Sequence, residues 1–476
     1  MDYRIEVDSL GEVQVPIDAL YGAQTTRAIS NFTITRLTTH PKMIQAIGMV
    51  KKAAAIANFE CGYLDQERLG YIIQACDEVI SGLHNNMFIT DVIQGGAGTS
   101  VNMCANEVIA NRAAQLANQP IGVYDYIHPN DHINFGQSTN DVFPTSGKLA
   151  ALFLVNDLQK EVHLLRSSIL SKSREFSKIL KVGRTHLQDA VPIKLGQEFH
   201  AYATALTRDI KRINSAFNDL KSVNMGATAV GTGINTDEKY KAIIVPQLSK
   251  ICQIKLSSAK DLVDGTRNVD TLVWASSSLK ILGVNLSKMC NDLRLMASGP
   301  KAGFFEISFP ERQPGSSIMP GKVNPVIAEV VNQVSFNVFG NDVTITKAAE
   351  AGQLELNVFE PVLFYNLFEM IETLTNACRT LRLNAMDGII ANREQIAYLV
   401  ENSVGSITAL APHIGYANSS KIAKQALHQN RKLLEIILES GLVSKEDLEI
   451  ILDIDAMTRP GIPGKKLLNK KKNKMK

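Results

Sequence analysis

The sequence predicts an all-α (mainly) protein of three domains around a central bundle of long helices. Three observations carry that prediction. Apolar residues recur at steps of three, four or seven over long stretches, the spacing of helices with one buried face. Strict period-two alternation is scarce. The chain has 476 residues, 45% hydrophobic and 20% charged, which is ordinary globular usage and enough for about three domains.

Taken in chain order, residues 1–144 predict a mixed, mostly helical domain. Its best strand-like piece is YRIEVDSL at residues 3–10, and a glycine cluster at Gly95, Gly96 and Gly98 interrupts it. Residues 145–392 predict the central bundle. One stripe is Leu158, Val162, Leu165, Ile169 and Phe176; the next runs Phe199, Tyr202, Leu206, Ile210, Ile213, Phe217 and Leu220. Leu279, Leu282, Leu286, Met289 and Leu293 form a third, and Val330, Val334 and Val338 a fourth. Such stripes pack at shallow crossing angles. Gly183, Pro192, the 226–233 stretch, Pro300 and residues 310–325 punctuate the bundle. Residues 393–464 predict a small helical C-terminal domain. Residues 465–476, KKLLNKKKNKMK, read as a solvated, disordered tail.

Composition excludes several classes of function. No apolar run approaches the roughly 18 residues of a membrane span, and the charged N-terminus carries no secretory h-region. The six cysteines are scattered without a C-x-x-C pair. They read as free thiols of a cytoplasmic protein, not a disulfide framework or zinc site. The net charge is +3, but the tail holds seven lysines, so +3 less seven leaves −4 for the body. A body of that sign is a poor binder of phosphate backbones, and 6% aromatics with one tryptophan do not make a base-stacking platform. Some helices carry apolar residues beyond one seam, such as Ile281 and Val284 beside Leu279 and Leu282. They fit either a fatter internal core or bundles merged between chains.

Four polar, glycine-containing segments break the helical pattern: residues 94–102 (QGGAGTSVN), 128–141 (HPNDHINFGQSTND), 183–189 (GRTHLQD) and 315–325 (GSSIMPGKVNP). Rich in hydroxyls and amides and poor in acids, together they suit a small molecule with two carboxylates. The first lacks the G-K-[ST] of a phosphate loop, and Gly231-Thr-Gly233 has no βαβ unit around it. His128 and His132 flank Asp131 like a metal pair, but Pro129 argues for a turn, with Asn130 or Asp131 capping a helix. The fourth segment reads as a mobile lid that delivers a hydroxyl to a substrate.

GSSIMPGKVNP resembles the signature of the fumarase/aspartase superfamily. The resemblance extends from LGEVQVPIDALYGAQTTRAISNF to the region of Ser406 and His413. GGAGTSVNM, GQSTND, RTHLQDAVP and AEAGQLELNVFEPV resemble its aspartase branch, which makes fumarate and ammonia from L-aspartate. The alternative within the family is hydration of fumarate to L-malate. The resemblance implies Ser316 as general base, with Lys322 and His186 as the other catalytic residues. It places Thr99, Ser138, Thr139 and Ser317 around the β-carboxylate and Thr185, Lys322 and Asn324 near the α-carboxylate. Asn140 and His186 come close to the departing amine; some aspartases carry Gln in place of His186. No cofactor and no metal is implied, and no nucleic acid or membrane. The partner implied is three further copies of the chain, a homotetramer whose sites take residues from three subunits. Cys104 stands where the family commonly has Asn, which puts the orientation of Thr99 or Asn102 in question.

Overall fold

The computed structural model describes residues 2–474. It opens with an antiparallel hairpin, β1 (Tyr3–Asp8) and β2 (Gly11–Pro16), paired Tyr3 to Pro16 through Asp8 to Gly11. The helices α1 (Ala23–Asn31), α2 (Pro41–Glu60), α3 (Gln66–Ser81), α4 (Thr99–Leu116) and α5 (Thr139–Glu175) follow. A second antiparallel hairpin, β3 (Leu180–Thr185) and β4 (Gln188–Lys194), precedes α6 (Leu195–Asp219), α7 (Glu238–Cys252), α8 (Leu262–Arg267), α9 (Asp270–Met296), α10 (Val326–Glu350) and α11 (Glu360–Asn384). Seven shorter helices complete the described residues: α12 (Arg393–Asn402), α13 (Ile407–Ile414), α14 (Tyr416–Gln429), α15 (Leu433–Glu439), α16 (Lys445–Ile451), α17 (Ile454–Met457) and α18 (Lys465–Lys474).

Two compact units divide these elements. Unit 1 comprises residues 1–160, 209–283 and 334–376; unit 2 comprises 161–208, 284–333 and 377–476. In unit 1, α2 packs on α3 and α7, and α4 packs on α1 and α3. Ile44, Ile47 and Val50 of α2, Ile72 and Val79 of α3 and Ile244 of α7 are buried there, the apolar faces that the helical period requires. In unit 2, α12 lies against β3. Its C-terminal part closes on a cluster of Leu410, Ile422, Ile436, Ile437 and Ile451.

The first three apolar stripes lie on α5, α6 and α9 or at their ends. Leu158, Val162, Leu165 and Ile169 are fully buried, as are Leu279, Leu282, Leu286 and Leu293. The fourth stripe is corrected by the structure. On α10 the buried face is Ala328, Val331, Ser335, Val338, Asp342 and Ile345, while Val330 is exposed with Phe336 and Val343. Polar groups reach that buried face because neighbouring helices satisfy them. Asp342 Oδ1 accepts from Ser276 Oγ at 2.6 Å, and Asn332 Nδ2 donates to Ser287 Oγ at 2.9 Å. The lysine tail, expected to be disordered, is helical as α18 up to Lys474, with Leu467 packed on the C-terminal cluster; residues 475–476 lie outside the described residues.

Candidate active site

In unit 1 the glycine cluster makes a left-handed turn that α4 needs in order to start. Gly96, Ala97 and Gly98 all have positive φ, a conformation that disfavours a Cβ. Glycine at 98 is required on a second ground: a Cβ there would lie 2.3 Å from the Phe143 ring. Thr99 follows as the first residue of α4, exposed, its hydroxyl donating to Gly96 O at 2.7 Å. No side chain caps this helix; Thr99 N donates to Gly96 O at 2.9 Å and Asn102 N to Gly98 O at 3.1 Å, so the N–H groups between them, of Ser100 and Val101, are the ones placed to meet an anion.

The second segment begins with a π-helical turn, Pro129–Ile133. Its cap is His128, whose Nδ1 accepts from Asn130 N and Asp131 N, not Asn130 or Asp131 as expected. His132 Nδ1 accepts from His128 N at 2.8 Å. Both imidazoles thus serve the backbone of the turn. Ser138 then precedes α5; its Oγ accepts from Asn140 N and its N–H donates to Asp141 Oδ1. Asp141 Oδ2 accepts from Gly226 N and Thr228 N, fastening the 226–228 turn to the start of α5. Burial pushes the Asp141 carboxyl up to about 6, against the pull of these N–H donors. Asn140 Nδ2 donates to Ala229 O at 2.7 Å.

These elements border a cavity of about 920 Å³, lined among others by Asn102, Ser138, Thr139, Thr228 and Asn235. Asn102 joins the first two segments, since its Nδ2 donates to Thr139 Oγ1 and to Asn134 Oδ1, both at 3.2 Å. Asn102 Oδ1 and Thr228 Oγ1 are buried with no partner, the condition of groups that await a polar ligand or water. Cys104 does not enter this network. Its buried thiol donates to Met87 O, and burial raises its pKa.

One residue escaped the sequence reading. Lys51, fully buried in α2, donates to Asn134 Oδ1 at 2.8 Å and to Gln137 Oε1 at 3.0 Å. Burial lowers its ammonium to about 7, against the nearby charge of Asp141. The available signal was a lysine on the apolar face of α2, one turn beyond buried Ile47 and one before buried Ala54 and Ala55.

Unit 2 holds the other two segments. Thr185 and His186 sit at the tip of the β3–β4 hairpin, where His186 and Leu187 both have positive φ. That is a two-residue turn with the twist that adjoining strands favour. Both tip residues are exposed, and a buried ion network holds the base. Glu306 takes Arg184 Nη1 at 2.8 Å and Lys181 Nζ at 3.1 Å, Lys181 also meets Glu198, and the Arg184 guanidinium stacks 4.1 Å from the Phe304 ring centre.

The 315–325 loop is closed by Gly315 N donating to Lys322 O (2.8 Å) and Asn324 Nδ2 donating to Gly315 O (2.7 Å). Within it, Ser316 Oγ accepts from Ile318 N (3.2 Å) and Met319 N (2.9 Å). Two N–H donors aimed at one oxygen favour its anionic form. Ser317 and Lys322 are exposed, and Lys322 makes no ion pair among the described residues. No hydrogen bond among the described residues joins this loop to Thr185 or His186.

The chain's relatives speak to the same chemistry. The family model described as Lyase matches residues 11–340, and that described as Fumarase C C-terminus matches residues 407–459. An aspartate ammonia-lyase of a Bacillus species is 53% identical over 98% of this chain and 99% of its own length. Those of Bacillus subtilis and Escherichia coli are 50% and 46% identical over 98% and 97% of this chain and 99% and 98% of their own lengths. A fumarate lyase:delta crystallin structure from Brucella melitensis, 46% identical, superposes with a TM-score of 0.94 over 96% of this chain and 100% of its own. A class II fumarase from Schistosoma mansoni, 33% identical, does so at 0.91 over 95% and 98%. With lyase-family identity along nearly its whole length and the fold to match, this chain belongs to the fumarase/aspartase superfamily of lyases.

Proposed function

We propose that this protein is a carbon–nitrogen lyase that converts L-aspartate to fumarate and ammonia by anti elimination. The observation that carries the chemical reading is Ser316, whose Oγ receives two loop N–H groups. Full-length identity to aspartate ammonia-lyases supports the substrate.

The difficult step is removal of a proton beside a carboxylate. Ser316, as alkoxide, takes the β-proton of L-aspartate, and the electron pair moves into the β-carboxylate to give an aci-carboxylate. Thr99, Ser138, Thr139 and Ser317 supply donors there, each worth roughly 10²- to 10³-fold when preorganised. The pair then forms the C=C bond, and the α-ammonium leaves as ammonia beside Asn140 and His186. Thr185, Lys322 and Asn324 hold the α-carboxylate. Lys322 adds the positive charge that a doubly anionic substrate requires.

In this reading the four segments converge in a homotetramer. Apolar side chains left on long helices support it: Trp274, Ile281 and Val284 on α9, and Val330, Phe336 and Val343 on α10, all exposed in the single chain. Such faces need a partner in water. The reading also places the protein in the cytoplasm, consistent with free cysteines throughout.

The test is fumarate absorbance in the ultraviolet, with L-aspartate and L-malate offered separately to the parent and to Ser316→Ala. Turnover of aspartate by the parent, falling at least about 10²-fold in the variant, is expected. Turnover of malate without aspartate would assign a fumarate hydratase instead.

A further inference from the structure

Unit 1 contains a second cavity, of about 620 Å³, bordered by the start of α2, the chain before α4, the first turn of α5 and the first half of α11. It is separate from the candidate substrate cavity. The first turns of α4 and α5 stand between them: Val101 lines the one and its neighbour Asn102 the other.

The lining combines aromatic rings with acceptors. Phe143 meets Phe364 edge-on at 5.8 Å between centres, Phe364 stacks on Phe368 at 5.7 Å, and the His40 ring lies 5.4 Å from Phe368. Gln94, 8% exposed, spends its Nε2 on Asp91 O, and its Oε1 has no partner. Asn85 Oδ1 is likewise buried and unpartnered. Glu369 and Glu372 add two carboxylates, and no lysine or arginine lines the cavity. The histidine does not change that balance. His40 Nδ1 accepts from Lys42 N, so the ring is not a free cation, and its Nε2 lies 3.2 Å from Glu372 Oε1.

We propose that this cavity binds a small organic cation, an ammonium or amidinium on a flat apolar body. Ring faces attract cations, most strongly where water is excluded. The two orphaned amide oxygens call for hydrogen-bond donors, which an ammonium or amidinium supplies, because a buried acceptor left unpaired is costly. A hydrocarbon would leave Gln94 Oε1 unpaired, and an anion would meet two carboxylates with no balancing base. The volume falls within that of small-molecule sites.

Calorimetric titration of the whole protein with 2-phenylethylammonium and with benzamidinium tests this, with benzoate and toluene as controls and succinate as competitor. Both cations are expected to bind at least about tenfold more tightly than either control, and saturating succinate should not displace them. Gln94→Leu and Glu372→Gln should each weaken cation binding by about tenfold while leaving toluene unaffected. Glu372 is half exposed, so its variant reads the site even if Gln94→Leu fails to fold. No cation binding at millimolar concentration, equal binding of benzoate, displacement by succinate or indifference to Glu372→Gln would each overturn the proposal.

Discussion

Lys51 Nζ donates to Asn134 Oδ1, and that oxygen also accepts from Asn102 Nδ2, which reaches on to Thr139 Oγ1. A buried lysine thus stands at the root of the donors assigned to substrate. Lys51→Met should raise KM for aspartate about tenfold or more, since Gln137 Oε1 loses its donor and Asn134 Oδ1 keeps only Asn102; steady-state kinetics check this.

The same lysine makes stability depend on pH. Folded, it releases its proton near 7; unfolded, near its ordinary 10.5. Between those values the unfolded chain holds more protons, so this group's effect on stability becomes more favourable as pH rises. Asp141 and Cys76 are the titratable groups whose charges bear on it. Denaturant melts at pH 6.5 and about 9.5 should show the parent gaining on Lys51→Met, and a constant difference between them would contradict the assignment.

Gly98→Ala should cost about 2 to 4 kcal/mol, combining a positive φ with overpacking against Phe143. Urea titration reads it, and aspartate turnover should fall too, because Thr99 follows directly.

Arg184→Gln leaves fully buried Glu306 with Lys181 as its remaining cation. Loss of one partner from a buried ion network typically costs about 3 to 5 kcal/mol. The expected outcome is a lower melting temperature and a loosened hairpin tip, read as faster amide exchange around Thr185 and His186.

Phe336→Glu places a carboxylate on the exposed apolar face of α10. Sedimentation should show the parent as the proposed homotetramer and the variant as smaller species, and the variant's turnover per chain should fall with dilution. An unchanged tetramer with full activity would show that this face lies outside the interface.

The helices over α5, α6 and α9 were legible because a 3.6-residue period is a local property that one buried face imprints on the chain. The four polar segments stood out for the same reason: glycine and proline interrupt that period wherever a turn is needed. Which face of α10 turns inward was not legible, since Ser276 and Ser287 are what make Asp342 and Asn332 acceptable in the interior. Nor was the burial of Lys51, or His128 as the cap of its turn, because Asn134, Gln137 and the backbone geometry that make them tolerable come from the folded chain. Periodicity needs only near neighbours. The satisfaction of a buried polar group needs a partner that the fold alone brings within hydrogen-bonding distance.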